Sequence, residues 1–190
     1  MLKHGRFILM LLLAACTLSG CISTVWTGAN LLYDRHNVYK KLSDYNLLAE
    51  VNRILAVDRT FNNSLCVLDI AVFNGDVLVA GHVPTNELFE ELSARLTQVK
   101  QYRRLFNEVQ IKRISSNSVA DSWITTKIRS QIFADDSIAP DAFKIITSDR
   151  VVYIMGDVEP NQAEKVIKMA RYTKGVERVV KIMKYYTYKN

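Results

Sequence analysis

Val77-Leu78-Val79-Ala80-Gly81-His82-Val83 returns as Val152-Tyr153-Ile154-Met155-Gly156-Asp157-Val158, with apolar run, glycine and final valine in step at an offset of 75. Such a run is too short for a helix and suits a buried strand. Upstream, Ile70-Ala71-Val72 lies over Ile145-Ile146-Thr147 at the same offset. Further out, Asp44, Leu47, Val51 and Leu55 match Asp121, Ile124, Ile128 and Ile132 at an offset of 77. The apolar members of each set recur four residues apart, which is one face of a helix. The two-residue difference in offset falls in the loop before the first strand. The chain is therefore expected to carry one small unit twice.

Each copy reads as helix, strand, strand, helix, strand, an α+β unit with two helices on a small three-stranded mixed sheet. Asp44 and Asp121 stand where an N-cap would accept backbone N–H bonds. Asn74-Gly75 is a good tight-turn pair, whereas Asp149-Arg150 in the second copy departs from the glycine preference. Pro84-Thr85-Asn86-Glu87 and Glu159-Pro160-Asn161 open the second helices, with proline near the start. Gly175 closes the later helix; Gln101 holds that place in the first copy, which predicts a different ending there. The last strands are expected over 105–111 and 179–185.

Composition bounds the partners. Apolar residues make up 49% of the chain and charged ones 23%, ordinary for globular domains and against long disorder. The net charge of +6 falls to +4 without Lys3 and Arg6, and the excess sits mainly in the second half. That suits an acidic membrane surface and is too weak for nucleic acid. Residues 1–20 read as a removable export signal, with Lys3, His4 and Arg6 ahead of an apolar run over 7–16 that is too short to span a bilayer. Cys16 leaves with it. Cys66 then has no cysteine partner other than Cys21, and is read as a buried apolar side chain.

Leu18-Ser19-Gly20-Cys21 resembles the bacterial lipobox, which implies that Cys21 carries lipid and becomes the N-terminus. Three acyl chains exceed what stable anchoring needs. Ile22 follows the cysteine in place of an inner-membrane retention aspartate, so the sorting rules imply the periplasmic face of the outer membrane. Residues 21–43 form a lipidated linker, too apolar at Trp26, Leu31, Leu32 and Tyr33 for a free tether.

The repeat itself, over 44–113 and 118–186, resembles the BON domain, an αββαβ module of bacterial envelope proteins. The marks are the aspartate-led first helices, the strand pairs ending in Gly-x-Val, and Gly175-Val176. Asp121-Ser122-Trp123-Ile124-Thr125-Thr126-Lys127-Ile128-Arg129-Ser130-Gln131 is similar to the second module of dual-BON outer-membrane lipoproteins of the DolP type. That resemblance implies phospholipid binding and support of envelope integrity, with no cofactor. The first copy departs more from the pattern.

No catalytic constellation stands out. His82 follows Gly81 and is read as a solvated turn residue, Asp135-Asp136 as a solvated loop, and no metal, phosphate-loop or nucleophile motif occurs. The two first helices carry the information instead. With Ile124, Ile128 and Ile132 inward, Trp123, Thr126, Ser130 and Phe133 fall on the outer side, flanked by Lys127 and Arg129. Tryptophan beside cations is the composition of a helix resting on lipid headgroups. The first copy has Asn46, Glu50, Asn52 and Ala56 where the second has Trp123, Lys127, Arg129 and Phe133. On the last helix Lys165, Lys168, Met169 and Tyr172 are expected to face out as a secondary membrane contact. Two partners fit the aromatic-basic face. One is an anionic phospholipid membrane; the other is an envelope protein, for which this chain would be an adaptor. Trp123 packed on a neighbouring element is the bland alternative.

Overall fold

A computed structural model describes residues 29–115 and 117–186; Cys21, the export segment and residues 22–28 lie outside the described residues. Helix α1 (Ala29–Leu55) buries Leu47, Val51, Ile54 and Leu55. Strands β1 (Val67–Phe73) and β2 (Asp76–Val83) form an antiparallel hairpin. Helix α2 (Asn86–Leu96) then returns the chain to β3 (Arg104–Ile111), parallel to β2. The second copy repeats this order as α3 (Ser118–Phe133), a 3-10 turn (Pro140–Ala142), β4 (Phe143–Ser148), β5 (Val151–Val158), α4 (Pro160–Tyr172) and β6 (Arg178–Tyr185). The sheets run β1-β2-β3 and β4-β5-β6. Gly81 pairs with Leu68 and Val109; Gly156 pairs with Phe143 and Met183, the counterparts of those residues.

The expected aspartate caps fail. Asp44 and Asp121 do not cap helices: each lies within one, and α3 is capped by Asn117, which accepts from the Ala120 N–H. Their carboxylates reach sideways to the hairpin turns. Asp44 accepts from the N–H groups of Asn74 (2.7 Å) and Gly75 (2.8 Å), and Asp121 from those of Asp149 and Arg150 (both 2.9 Å). Both turns have two left-handed residues, at φ 50 and 79° in the first copy and 49 and 61° in the second. This is the hairpin turn whose twist matches the strands. Arg150 thus holds a glycine conformation, at a cost of about 1–2 kcal/mol that the clamp offsets. Gln101 does likewise at φ 59°, where the second copy has Gly175 at φ 93°. As expected, the helices before them end differently: α2 closes at Leu96 with Thr97 still helical, and α4 at Tyr172 with Thr173 extended.

Each sheet has two buried faces. Val72, Val77, Val79, Val83 and Val109 pack under α1 and α2, and Ile145, Val152, Ile154 and Val158 under α3 and α4. The opposite faces meet: Ala71, Leu78 and Ala80 form one apolar cluster with Val151, Tyr153, Met155 and Ile182. The layers run helices, sheet, sheet, helices. This explains why β2 and β5 are apolar at successive positions, since alternation is lost when both faces are covered. Burial there pushes the Tyr153 hydroxyl up to about 12.

The joint is isologous. His82 bonds Asp149 through Nδ1 (2.7 Å), and Asn74 donates to Asp157 (3.1 Å). At an offset of 75, Asp157 is the counterpart of His82 and Asp149 of Asn74, so the two contacts are one contact made twice. Reciprocity of that kind marks a two-fold relation. His82 is accordingly fully buried, with Nε2 3.0 Å from the Ile114 carbonyl oxygen, and not a solvated turn residue. Ser148 donates to Asp69 across the same joint at 2.5 Å.

At one end Asp76, almost fully buried, accepts from Arg103 and Arg104, and Arg103 continues to Asp157 at 2.9 Å. Burial alone would raise the Asp76 carboxyl, but the two guanidinium groups outweigh it and hold the carboxyl below its ordinary value. A depressed carboxylate contributes stability above its unfolded value of about 3.9, lost as pH falls through the folded value. The urea midpoint should therefore drop below about pH 4. Asp76→Asn, which breaks a buried pair, should cost about 3 kcal/mol at pH 7 and show a flatter decline over the acid range. Parallel acid declines in the two proteins would show that Asp76 is not the group responsible.

Candidate functional site

The described residues contain no group of three or more His, Cys, Asp or Glu able to hold a metal. Cys66 is half-buried against the first core, and desolvation pushes its thiol up, away from nucleophilic use. What stands out is an exposed helix face.

Helix α3 turns Asp121, Ile124, Ile128 and Ile132 inward. All six residues picked from the sequence, Trp123, Thr126, Lys127, Arg129, Ser130 and Phe133, lie on the exposed side. Trp123 is 52% exposed and Phe133 66%, so Trp123 is not enclosed by a neighbouring element. At ~100° per residue Trp123, Thr126, Ser130 and Phe133 fall on one stripe, with Lys127 and Arg129 on its opposite flanks. The Ser130 hydroxyl donates to the Thr126 carbonyl, which leaves a low surface between the aromatics. Among the described residues, neither Lys127 nor Arg129 has a side-chain hydrogen bond or ion pair.

Two residues were missed. Val119 is 80% exposed one turn before Trp123 and extends the stripe; its spacing of four was a usable signal. Lys144 lies on β4 and borders the same face near Arg129 and Phe133; sequence distance hides it.

At the matching positions on α1 and just past its end the residues are different in kind. Asn46, Asn52 and Ala56 are exposed, and Glu50 accepts from the Lys100 N–H at 3.3 Å. The secondary candidates on α4 are only partly as expected. Lys168 and Tyr172 are exposed. Lys165 is exposed but tied to the Ser137 hydroxyl and near Asp135. Met169 does not face out; it packs on the second core.

The BON domain family model matches residues 120–185. The outer membrane lipoprotein DolP of Haemophilus influenzae is 28% identical over 182 residues, covering 93% of this chain and 94% of that protein. A 21 kDa hemolysin of Actinobacillus pleuropneumoniae is 29% identical over 120 residues, or 62% of each chain. Among solved structures, CdsD, a structural protein of the type III secretion system of Chlamydia trachomatis, is similar at 9% identity and a TM-score of 0.31, covering 74% of this chain and 92% of that one.

Proposed function

The chain belongs to the BON-domain outer-membrane lipoproteins of the DolP kind, and from that premise we propose that it acts by binding, without catalysis, and that its second module rests on anionic phospholipid to support envelope integrity. The observation that carries this reading is the exposed aromatic-basic stripe on α3; at the positions matching Trp123, Lys127 and Arg129 the first copy has Asn46, Glu50 and Asn52, and its own exposed apolar residues, Tyr39, Leu42 and Tyr45, lie nearer the start of α1. Folding both modules needs the inward isoleucines or their equivalents; it does not need Trp123, Lys127 or Arg129 facing out.

The mechanism is peripheral. Trp123 and Phe133 enter the headgroup layer as amphipathic wedges, and Lys127 and Arg129 meet headgroup charge, each contributing ~1 kcal/mol near an acidic surface. Such contacts are weak alone. Lipid on Cys21 would hold the module close to the bilayer at high effective concentration, so weak selectivity is enough to choose a membrane region.

The test uses residues 22–190, which keep every described residue, without the acyl group. This protein should co-sediment with vesicles rich in phosphatidylglycerol and not with phosphatidylcholine alone. Binding should weaken between low and high salt, because headgroup attraction is screened beyond ~8–10 Å at physiological strength. Equal binding to both vesicle types, or to neither, counts against the reading. Absence of binding to either would favour an envelope-protein partner for the same face.

A further inference from the structure

At the Phe133 end of the stripe, the last turn of α3 and the start of β4 enclose a slot of about 140 Å³. Its lining is Arg129, Ile132, Phe133, Pro140, Phe143, Lys144 and Ile145. Both charged residues are cations, and no carboxylate borders it. Neither cation has a side-chain hydrogen bond or ion pair among the described residues. Other grooves differ in kind: the one between β1, α3 and β4 is bordered by Asp69 and Asp121, and the one between α1 and α2 by Glu50 and Glu91.

We propose that this slot seats one phosphodiester group between Arg129 and Lys144, with the apolar part of the same molecule against Phe133 and Ile132. The inference rests on the lipid reading above and sharpens it, from a charged face to a defined headgroup seat. The volume admits a phosphate-sized group. Ile132, Phe133 and Phe143 displace part of the water around the two cations, so attraction to an anion is stronger there than on a fully open surface. Guanidinium and ammonium groups are the common partners of phosphate oxygens. A phospholipid carries its phosphate next to apolar glycerol esters, and the slot offers cations next to phenylalanine and isoleucine in the same order. A soluble phosphodiester shares the phosphate chemistry and lacks the apolar half.

The test is a double-substitution cycle on residues 22–190, read by affinity for phosphatidylglycerol vesicles. Arg129→Gln and Lys144→Gln should each weaken binding about tenfold, as the loss of a charge-assisted bond. The double variant should weaken it by much less than the product, because two cations on one phosphate are coupled. Lys184→Gln, an exposed cation on β6, should do little. Lys144→Arg should restore most binding. Additive losses, or a Lys144→Gln effect no larger than that of Lys184→Gln, overturn the seat while leaving the lipid reading intact. A second arm titrates sodium phosphate and glycerophosphoglycerol against the free protein and follows side-chain resonances by NMR. Shifts confined to Arg129 and Lys144, in a protein that ignores vesicles, would sustain the seat as a soluble-phosphate site and sink the lipid reading. No shift together with no vesicle binding sinks both.

Discussion

Trp123→Glu is expected to reduce binding to phosphatidylglycerol vesicles by about a hundredfold while leaving the fold intact. Withdrawing a large aromatic side chain from the headgroup layer forfeits roughly 2 kcal/mol of apolar burial. The new carboxylate adds repulsion of about 1 kcal/mol from an acidic surface. Together these correspond to about two decades in affinity. Stability should change little, because Trp123 is half exposed on the side of α3 opposite Ile124 and Ile128, and glutamate is a good helix former. Asn46→Glu, the matching change on α1, should leave binding within about twofold, since it touches no part of the stripe and exposed substitutions have small effects. Co-sedimentation reads the affinity and circular dichroism the fold. If Trp123→Glu unfolds the module, the residue is structural. If it folds and binds vesicles normally, the stripe grips something else, and an envelope protein becomes the better partner.

Gly81→Ala is expected to cost about 4 kcal/mol and lower Tm by roughly 10 °C, against about 2 kcal/mol for Gly156→Ala. The two glycines occupy the same place in the repeat, yet they are glycine for different reasons. Gly81 has φ +121°, a conformation that side chains rarely adopt, and a Cβ there would fall 2.0 Å from the Val67 carbonyl oxygen. Relief requires β1 to detach at its start, which also displaces neighbouring His82 from Asp149 and Ile114. Backbone strain and a broken buried contact are among the few mechanisms that give losses of this size. Gly156 lies outside the left-handed region, and its Cβ would meet the Ala142 carbonyl oxygen at 2.9 Å, a clash a small shift of the 3-10 turn can relieve. Thermal and urea unfolding of both variants decide the matter; equal losses would show that the glycines answer to the same constraint.

Much of this architecture is local in origin and so legible in the chain. The helix faces of Leu47, Val51, Leu55 and of Ile124, Ile128, Ile132 follow from a period of 3.6, which also sends Trp123 and Phe133 outward. Other readings failed where a residue acts across space. An aspartate at a helix start and one that reaches sideways from within a helix look alike in sequence, so Asp44 and Asp121 resemble caps although they clamp turns. The same clamp explains why Arg150 stands where glycine was expected. Lys144 is not legible as part of this face because its neighbour Arg129 is on another element.

By itself, then, the sequence determined the duplicated αββαβ unit and the chemistry of the outer face of α3, because both depend on periodicity and on near neighbours along the chain. Only the tertiary structure decided what covers the second face of each sheet. The runs Val77-Leu78-Val79-Ala80 and Val152-Tyr153-Ile154-Met155 announce burial on both sides, but an apolar side chain carries no address for its partner. That the partner is the sister module is settled by shape and by a few polar contacts, His82 to Asp149, Asn74 to Asp157 and Ser148 to Asp69, between residues 67 to 83 positions apart.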